Sequence, residues 1–141
     1  MKVLVAYDGS ENSKRAVEYA AKMAKICSDM KVTVISVAYI PDHTFYNEFI
    51  PHNVKLSEEF RKKAREHLKD AEAIFNAAGI EVETVTETGD TADIIINTVK
   101  DQGFDQVIMG TRGLSNLQGL FLGSVSSKVI ATLEVPVTVV K

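Results

Sequence analysis

An apolar run that ends in a polar turn occupies residues 2–10, Lys2-Val3-Leu4-Val5-Ala6-Tyr7-Asp8-Gly9-Ser10. A nearly continuous apolar run of this length is typical of a strand buried on both faces of a parallel sheet. Further along, runs of β-branched residues alternate with amphipathic stretches of helical length, which is the pattern of βαβ units. Residues 1–141 are therefore expected to form one α/β domain. Its sheet is predicted to be five-stranded, mostly parallel, doubly wound and Rossmann-like, with strand order 3-2-1-4-5.

Periodicity and capping residues locate the expected elements. Strands are predicted over residues 2–7, 32–40, 80–87, 104–109 and 137–140. The four helices between them have residues placed to cap their first turns, namely Ser10 or Ser13, Ser57, Asp90 with Asp93, and Ser124. The second helix is predicted over residues 55–78, and the fourth is predicted to turn inward Val125, Val129, Ile130 and Leu133. Residues 41–54 have no period and are expected to form a loop or a lid.

Charge and composition exclude several classes of partner. The 141 residues carry 16 basic and 19 acidic side chains, a formal net charge of −3, which gives no footprint for nucleic acid or for an anionic membrane. Charges interrupt the apolar runs well before the roughly 20 residues that a membrane span requires. Cys27 is the lone cysteine, and its place on the apolar stripe of the first helix predicts a buried, inert thiol. The expectation is a cytoplasmic protein with no nucleic-acid or membrane partner.

A glycine-bearing loop is the strongest functional signal, because half of the eight glycines lie within residues 110–123. Glycine permits positive φ and lets a ligand approach the main chain. Where such a loop enters a helix, its amides and the first helical amides converge on one point, and the helix dipole adds partial positive charge there. The loop therefore predicts a phosphate site, with the Ser124 hydroxyl and the mobile cation of Arg112 beside it. The alternative is a plain surface connection.

Asp8 is expected at the same crevice, because the carboxyl end of the first strand borders that of the fourth. Its carboxylate would accept from adenine or ribose groups, or approach a divalent cation held by phosphates. The competing interpretation is a turn in which Asp8 bonds its own backbone. Val37 is either an apolar wall for a purine or an ordinary core residue. The histidines lack metal-ligand spacing and are expected at the surface: His43, His52 and His67.

A spaced motif links the fourth strand to the fourth helix: Met109-Gly110-Thr111-Arg112-Gly113, nine further residues, then Gly123-Ser124-Val125. It resembles the ATP-binding branch of the universal stress protein family, and residues 3–10 and 135–140 look like that family's first and last strands. The resemblance implies an adenine nucleotide alpha hydrolase-like fold with ATP at the switch point, and Mg²⁺ or Mn²⁺ bound through the phosphates. It assigns Asp8 and Val37 to the adenosine end, and adds to the ATP site Met109, Gly110, Arg112, Gly113, Gly123, Ser124 and Val125.

The resemblance also implies a homodimer that pairs the last strand with its twin. Residues 137–140 are apolar and no later strand covers them, so pairing would remove an exposed edge. The leading hypothesis is an ATP-binding regulatory module of the stress response, with no catalytic residue assigned. A slow Mg-dependent ATP hydrolase that uses Asp8 is the alternative. The sequence has no Gly-x4-Gly-Lys-Ser/Thr loop, which argues against efficient phosphoryl transfer. An ATP pyrophosphatase and a phosphorelay receiver rank lower, because their loops and acidic residues do not match.

Overall fold

The structure is a computed structural model and describes residues 1–39, 53–112 and 122–141. The strands are β1 (Lys2–Ala6), β2 (Lys31–Ala38), β3 (Glu83–Thr88), β4 (Gln106–Gly110) and β5 (Val137–Val140). The helices of the described ranges are α1 (Glu11–Ile26), α2 (Asn53–Ala77), α3 (Thr91–Gln102) and α4 (Ser124–Thr132). The predicted alternation of strands and helices is confirmed, with boundaries that differ by a few residues.

The five strands form one sheet in the order β3-β2-β1-β4-β5, as predicted. Every neighbouring pair is parallel, so the sheet is wholly rather than mostly parallel. In the central strand, Val3 lies opposite Val32 on one side and Gln106 on the other. β3 is an edge strand, as its polar pattern indicated.

Two layers of helices cover the sheet, and each layer buries one side of β1. Val3 and Val5 pack with α1 and α2 on one face, whereas Leu4 packs with α3 and α4 on the other. Because successive side chains of a strand point to opposite faces, a strand between two helical layers must be apolar at every position. This geometry accounts for the unbroken apolar run at residues 3–5, whose side chains are fully buried.

Several helix ends follow the local signals. Ser10 caps α1, since its hydroxyl accepts a hydrogen bond from the Ser13 amide at 3.2 Å. Asp90 caps α3 through the Asp93 amide at 3.0 Å, and Gly103 ends that helix in the left-handed conformation. The predicted cap at Ser57 is wrong, because α2 already begins at Asn53 and Ser57 lies within it. The predicted loop or lid falls mainly on residues 40–52, which lie outside the described ranges together with His43 and His52.

Two core predictions are also wrong. Ile130 is 40% exposed, and the buried residue of α4 beside Val129 is Ser126. Hydropathy alone favoured Ile130, but the helical turn places it outside the stripe that contacts α3 and the sheet. Cys27 is only partly buried, because it lies at the C-cap of α1, where the helix leaves the sheet. Within the described ranges, no helix is long and apolar enough to cross a membrane.

Candidate functional site

A crevice opens at the carboxyl edge of the sheet between β1 and β4. The chain leaves β1 for α1 on one face of the sheet and leaves β4 for α4 on the opposite face. Connections that diverge in this way leave a gap above the two strand ends, which is the usual ligand site of doubly wound sheets. A cavity of about 670 Å³ occupies the gap. That volume lies in the range of small-molecule sites.

The sequence-predicted site residues converge on this one cavity. It is lined by every one of them that the structure describes, namely Asp8, Val37, Met109, Gly110, Arg112, Gly123, Ser124 and Val125. Gly113 lies outside the described ranges, so its role stays a prediction. The residues come from four separate segments, and the sheet topology alone brings them together.

The first turn of α4 lies at the cavity, and its main-chain amides have no hydrogen-bond acceptor among the described residues. Gly123 is the N-cap and provides no side-chain hydrogen bond, in contrast to Ser10 at α1 and Asp90 at α3. The first three helical amides have no acceptor within a helix. Ser124, Val125 and Ser126, whose amides these are, all line the cavity. A helix end of this kind offers several donors and a partial positive charge to an anion.

Hydrogen bonds connect the two ends of the glycine-bearing loop next to the first turn of α4. The Gly123 amide donates to the Thr111 carbonyl at 2.7 Å, so it is not available to a ligand in this conformation. The buried hydroxyl of Ser126 lies 3.0 Å from the carbonyl oxygens of both Thr111 and Gly123 and donates to them. The loop therefore leaves and re-enters the fold at adjacent points. The donors that remain for an anion are therefore those of the helix rather than the Gly123 amide.

Gly110 is a glycine for a different reason than the sequence indicated. Neither Gly110 nor Gly123 has positive φ. A Cβ at Gly110 would lie 2.8 Å from the main-chain carbon of Asn12 and from the nitrogen of Ser13, far inside van der Waals contact. The absent side chain lets the first turn of α1 pack directly on β4. The close approach at Gly110 is thus between helix α1 and strand β4.

Asp8 forms the predicted turn and also lies at the crevice. Its Oδ1 accepts a hydrogen bond from the Ser10 amide at 3.0 Å, which is the turn interpretation. The residue is also half-buried and lines the cavity. Gly9 between them has φ of +80°, a conformation that favours glycine. The turn thus holds the carboxylate at the crevice.

Helix α2 forms a further wall that the sequence analysis missed. Its lining residues are spaced as one helical stripe: Phe60, Lys63, Ala64 and His67. The 25 residues of α2 span about 37 Å, whereas the eight of β2 span about 26 Å. Because α2 runs antiparallel to β2, its first turns overhang the carboxyl edge of the sheet. The sequence predicted the helix over residues 55–78, but it did not show how far the first turns extend past the sheet edge.

The expectation that His67 lies at the surface is wrong. Its ring packs edge-on against Tyr7, with centroids 5.9 Å apart, and an ideal Cβ at Gly9 would lie 2.5 Å from its Nε2. Burial first, and then the carboxylates of Asp70 and Asp8, raise the pKa of the Tyr7 phenol, which therefore stays neutral. The imidazole is fixed in the wall of the cavity beside Asp8.

The cavity carries charges of both signs. Lys63 of α2 and Arg112, in the segment after β4, both line it, and neither has an ion-pair partner within the described ranges. The acidic lining residues are Asp8 and Asp90. Among the described residues, no three acidic, histidine or cysteine side chains cluster as a metal site. A divalent cation at this crevice would therefore depend on ligand phosphates, with Asp8 available as an additional oxygen donor.

The fold and the crevice define a Rossmann-like α/β protein with a cavity at the switch point of a parallel sheet. The model of the Universal stress protein family matches residues 1–141. The chain therefore belongs to the universal stress protein family. It is 31% identical to the universal stress protein YxiE of Bacillus subtilis over 156 aligned positions, covering 99% of this chain and 98% of that protein.

Two solved structures extend this similarity. The hypothetical protein MJ0577, whose biochemical function was assigned from its structure, superposes with a TM-score of 0.84 at 26% identity, covering 99% of this chain and 94% of that one. A universal stress protein in complex with cAMP superposes with a TM-score of 0.74 at 26% identity, covering all of this chain and 97% of that one. The doubly wound fold is thus shared along the whole chain.

Proposed function

We propose that this protein binds ATP in the cavity between β1 and β4 and acts as a nucleotide-dependent regulatory module. The observation that supports this most directly is the first turn of α4, which has no side-chain cap and whose residues line the same cavity as Asp8 and Val37. Three amide donors at a helix end suit phosphate oxygens, which accept several hydrogen bonds at once. A solved relative holds cAMP, which contains the same adenosine and one phosphate.

The distribution of charge in the cavity favours one orientation of the nucleotide. The phosphates lie at Ser124 and Val125, where the helix end and the Arg112 cation favour negative charge. Asp8 repels phosphate, so the uncharged adenosine faces the part of the cavity that it shares with Val37. There the carboxylate accepts from the ligand and the valine provides an apolar contact. This placement gives a ligand contact to Asp8, Val37, Arg112, Ser124 and Val125.

Magnesium or manganese accompanies the triphosphate and neutralises part of its charge. Because the described residues form no metal cluster of their own, the cation belongs to the ligand rather than to the resting protein. Efficient phosphoryl transfer requires several cations around the phosphates and a group that positions the nucleophile. The fixed cations of the described lining are Lys63 and Arg112. We therefore place ATP binding, and not rapid hydrolysis, at the centre of the function.

Calorimetric titration of the purified protein with Mg-ATP, Mg-ADP, AMP and adenosine tests the proposal. We expect ATP to bind below millimolar concentration and AMP to bind about tenfold more weakly, because each charge-assisted hydrogen bond to phosphate contributes about 1.5–3 kcal/mol. Phosphate release in the same samples is expected to be slow relative to nucleotide exchange. Absence of binding at millimolar ATP would overturn the proposal. Fast phosphate release would favour the hydrolase instead.

We further propose that the protein forms a homodimer through β5. This strand is at the edge of the sheet, and Val139 on it is 36% exposed. An open apolar edge strand favours pairing with another chain. Val139→Lys is expected to shift the dimer toward monomer in analytical ultracentrifugation, because the new charge would be buried at the interface. Glu87→Lys, at an exposed site on the opposite edge strand β3, is the matched control, and an identical response of both variants would exclude this interface.

A further inference from the structure

A charged cluster joins the two helix ends that border the cavity on one face of the sheet. Lys128 of α4 places its Nζ 2.7 Å from Oδ1 of Asp93 and 3.6 Å from Oδ1 of Asp90, both near the start of α3. Asp90 lines the cavity, as does Ser124, which precedes Lys128 by one helical turn. The amine therefore lies between a carboxylate in the cavity wall and the turn that presents the free amides.

The cluster adds little to the stability of the fold. All three side chains are about half exposed, and ion pairs between exposed side chains contribute little to stability. Asp90 also has a separate structural role as the N-cap of α3, which an asparagine can perform equally well. The placement of Lys128 therefore needs an explanation other than stability.

The charges of this cluster affect how strongly an anionic ligand is repelled at the cavity. The hydrogen bond from the Asp93 amide, together with the Lys128 charge, lowers the pKa of Asp90, so this carboxylate is ionised at neutral pH. The hydrogen bond to Asp93 raises the pKa of Lys128, which is therefore fully charged. An unopposed Asp90 would repel phosphates that approach the amides of Ser124 and Val125. The nearby amine offsets that repulsion.

We propose that Lys128 is a positioning residue that adapts the site to nucleotides with several phosphate charges. It offsets part of the negative charge of Asp90 and Asp93 and holds the first turn of α4 against the start of α3. The selected ligand class is the nucleoside polyphosphate, in preference to a nucleoside or its monophosphate. This inference rests on the proposed nucleotide site and adds a determinant of its specificity.

Lys128→Met tests the inference by calorimetry with Mg-ATP and AMP in 50 mM salt. We expect the affinity for ATP to fall about fivefold and that for AMP to fall less than twofold, because the repulsion grows with ligand charge. The loss should shrink in 0.5 M salt, since exposed charges are screened there. The midpoint of thermal unfolding should stay within about 2 °C. Lys100→Met, in the last turn of α3 and without an ion pair in the described ranges, is the matched control.

A rescue variant separates charge from structure. Asp90→Asn keeps the helix cap and removes the carboxylate from the cavity wall, so adding it to Lys128→Met should restore most of the ATP affinity. Wild-type ATP affinity in Lys128→Met would overturn the inference and leave the proposed nucleotide site intact. Equal losses for ATP and AMP without rescue would assign Lys128 a structural role only, which also overturns it. Failure of the wild-type protein to bind any nucleotide would instead overturn the proposed function.

Discussion

Gly110→Ala is expected to lower the free energy of unfolding by about 2 kcal/mol, measured by urea denaturation of the ligand-free protein. The added Cβ would lie 2.8 Å from main-chain atoms of Asn12 and Ser13, and a main chain cannot move aside as a flexible side chain can. The first turn of α1 would have to withdraw from β4, and overpacking of this kind costs about 1–3 kcal/mol. The hydrogen bond from Asn12 Nδ2 to Thr111 Oγ1, 3.1 Å long, would weaken with it.

Gly123→Ala is the matched control, because both glycines belong to the same motif and border the same cavity. A Cβ at Gly123 would lie 3.5 Å from its nearest neighbours, in ordinary contact, and the φ of −77° suits alanine. Its cost should stay within about 0.5–1 kcal/mol, the loss of a favourable N-cap residue. Equal stability of the two variants would contradict the close helix–strand packing at Gly110.

Much of the fold is encoded locally and was predictable for that reason. The apolar run at residues 3–5 indicated a central strand, and Ser10 and Asp90 formed the predicted caps. The strand order followed from right-handed crossovers, which leave few topologies for five alternating units. What failed depends on tertiary contacts. Ile130 is apolar but exposed, whereas Ser126 is polar but buried. Hydropathy could not predict this, because packing against α3 decides which face of α4 is inside.

Part of the candidate site was likewise predictable from the sequence, and part was not. The loop residues and Asp8 were found because glycine spacing and strand ends are visible in a sequence. The wall from α2 was not found, because the contact of Lys63 and His67 with the cavity depends on how far that helix extends past the sheet edge, which only the tertiary structure shows. Gly110 was identified, but its φ is not positive, and the packing of α1 on β4 that requires a glycine there was not foreseen. A residue type can be required by the packing beneath a site as readily as by the ligand above it.

Ser124→Pro is expected to weaken ATP binding by tenfold or more while leaving the fold intact. Proline has no amide hydrogen, so this substitution removes one of the free donors at the start of α4. The first helical position accepts proline readily, and the extended conformation of Gly123, with φ of −77° and ψ of 168°, is compatible with a following proline. A lost hydrogen bond to a charged group costs about 1.5–3 kcal/mol, which corresponds to at least tenfold in affinity.

Ser124→Ala isolates the contribution of the amide, because it removes the exposed hydroxyl and keeps the N–H. It should weaken ATP binding only about threefold, in line with a neutral hydrogen bond. The unliganded proline variant should unfold at or above the wild-type temperature, since proline restricts the unfolded chain. If both variants bound ATP equally, the main-chain donor at residue 124 would have no part in holding phosphate. The positive end of α4 would then act through its dipole and through the amides of Val125 and Ser126, and the proposed phosphate position would move one residue into the helix.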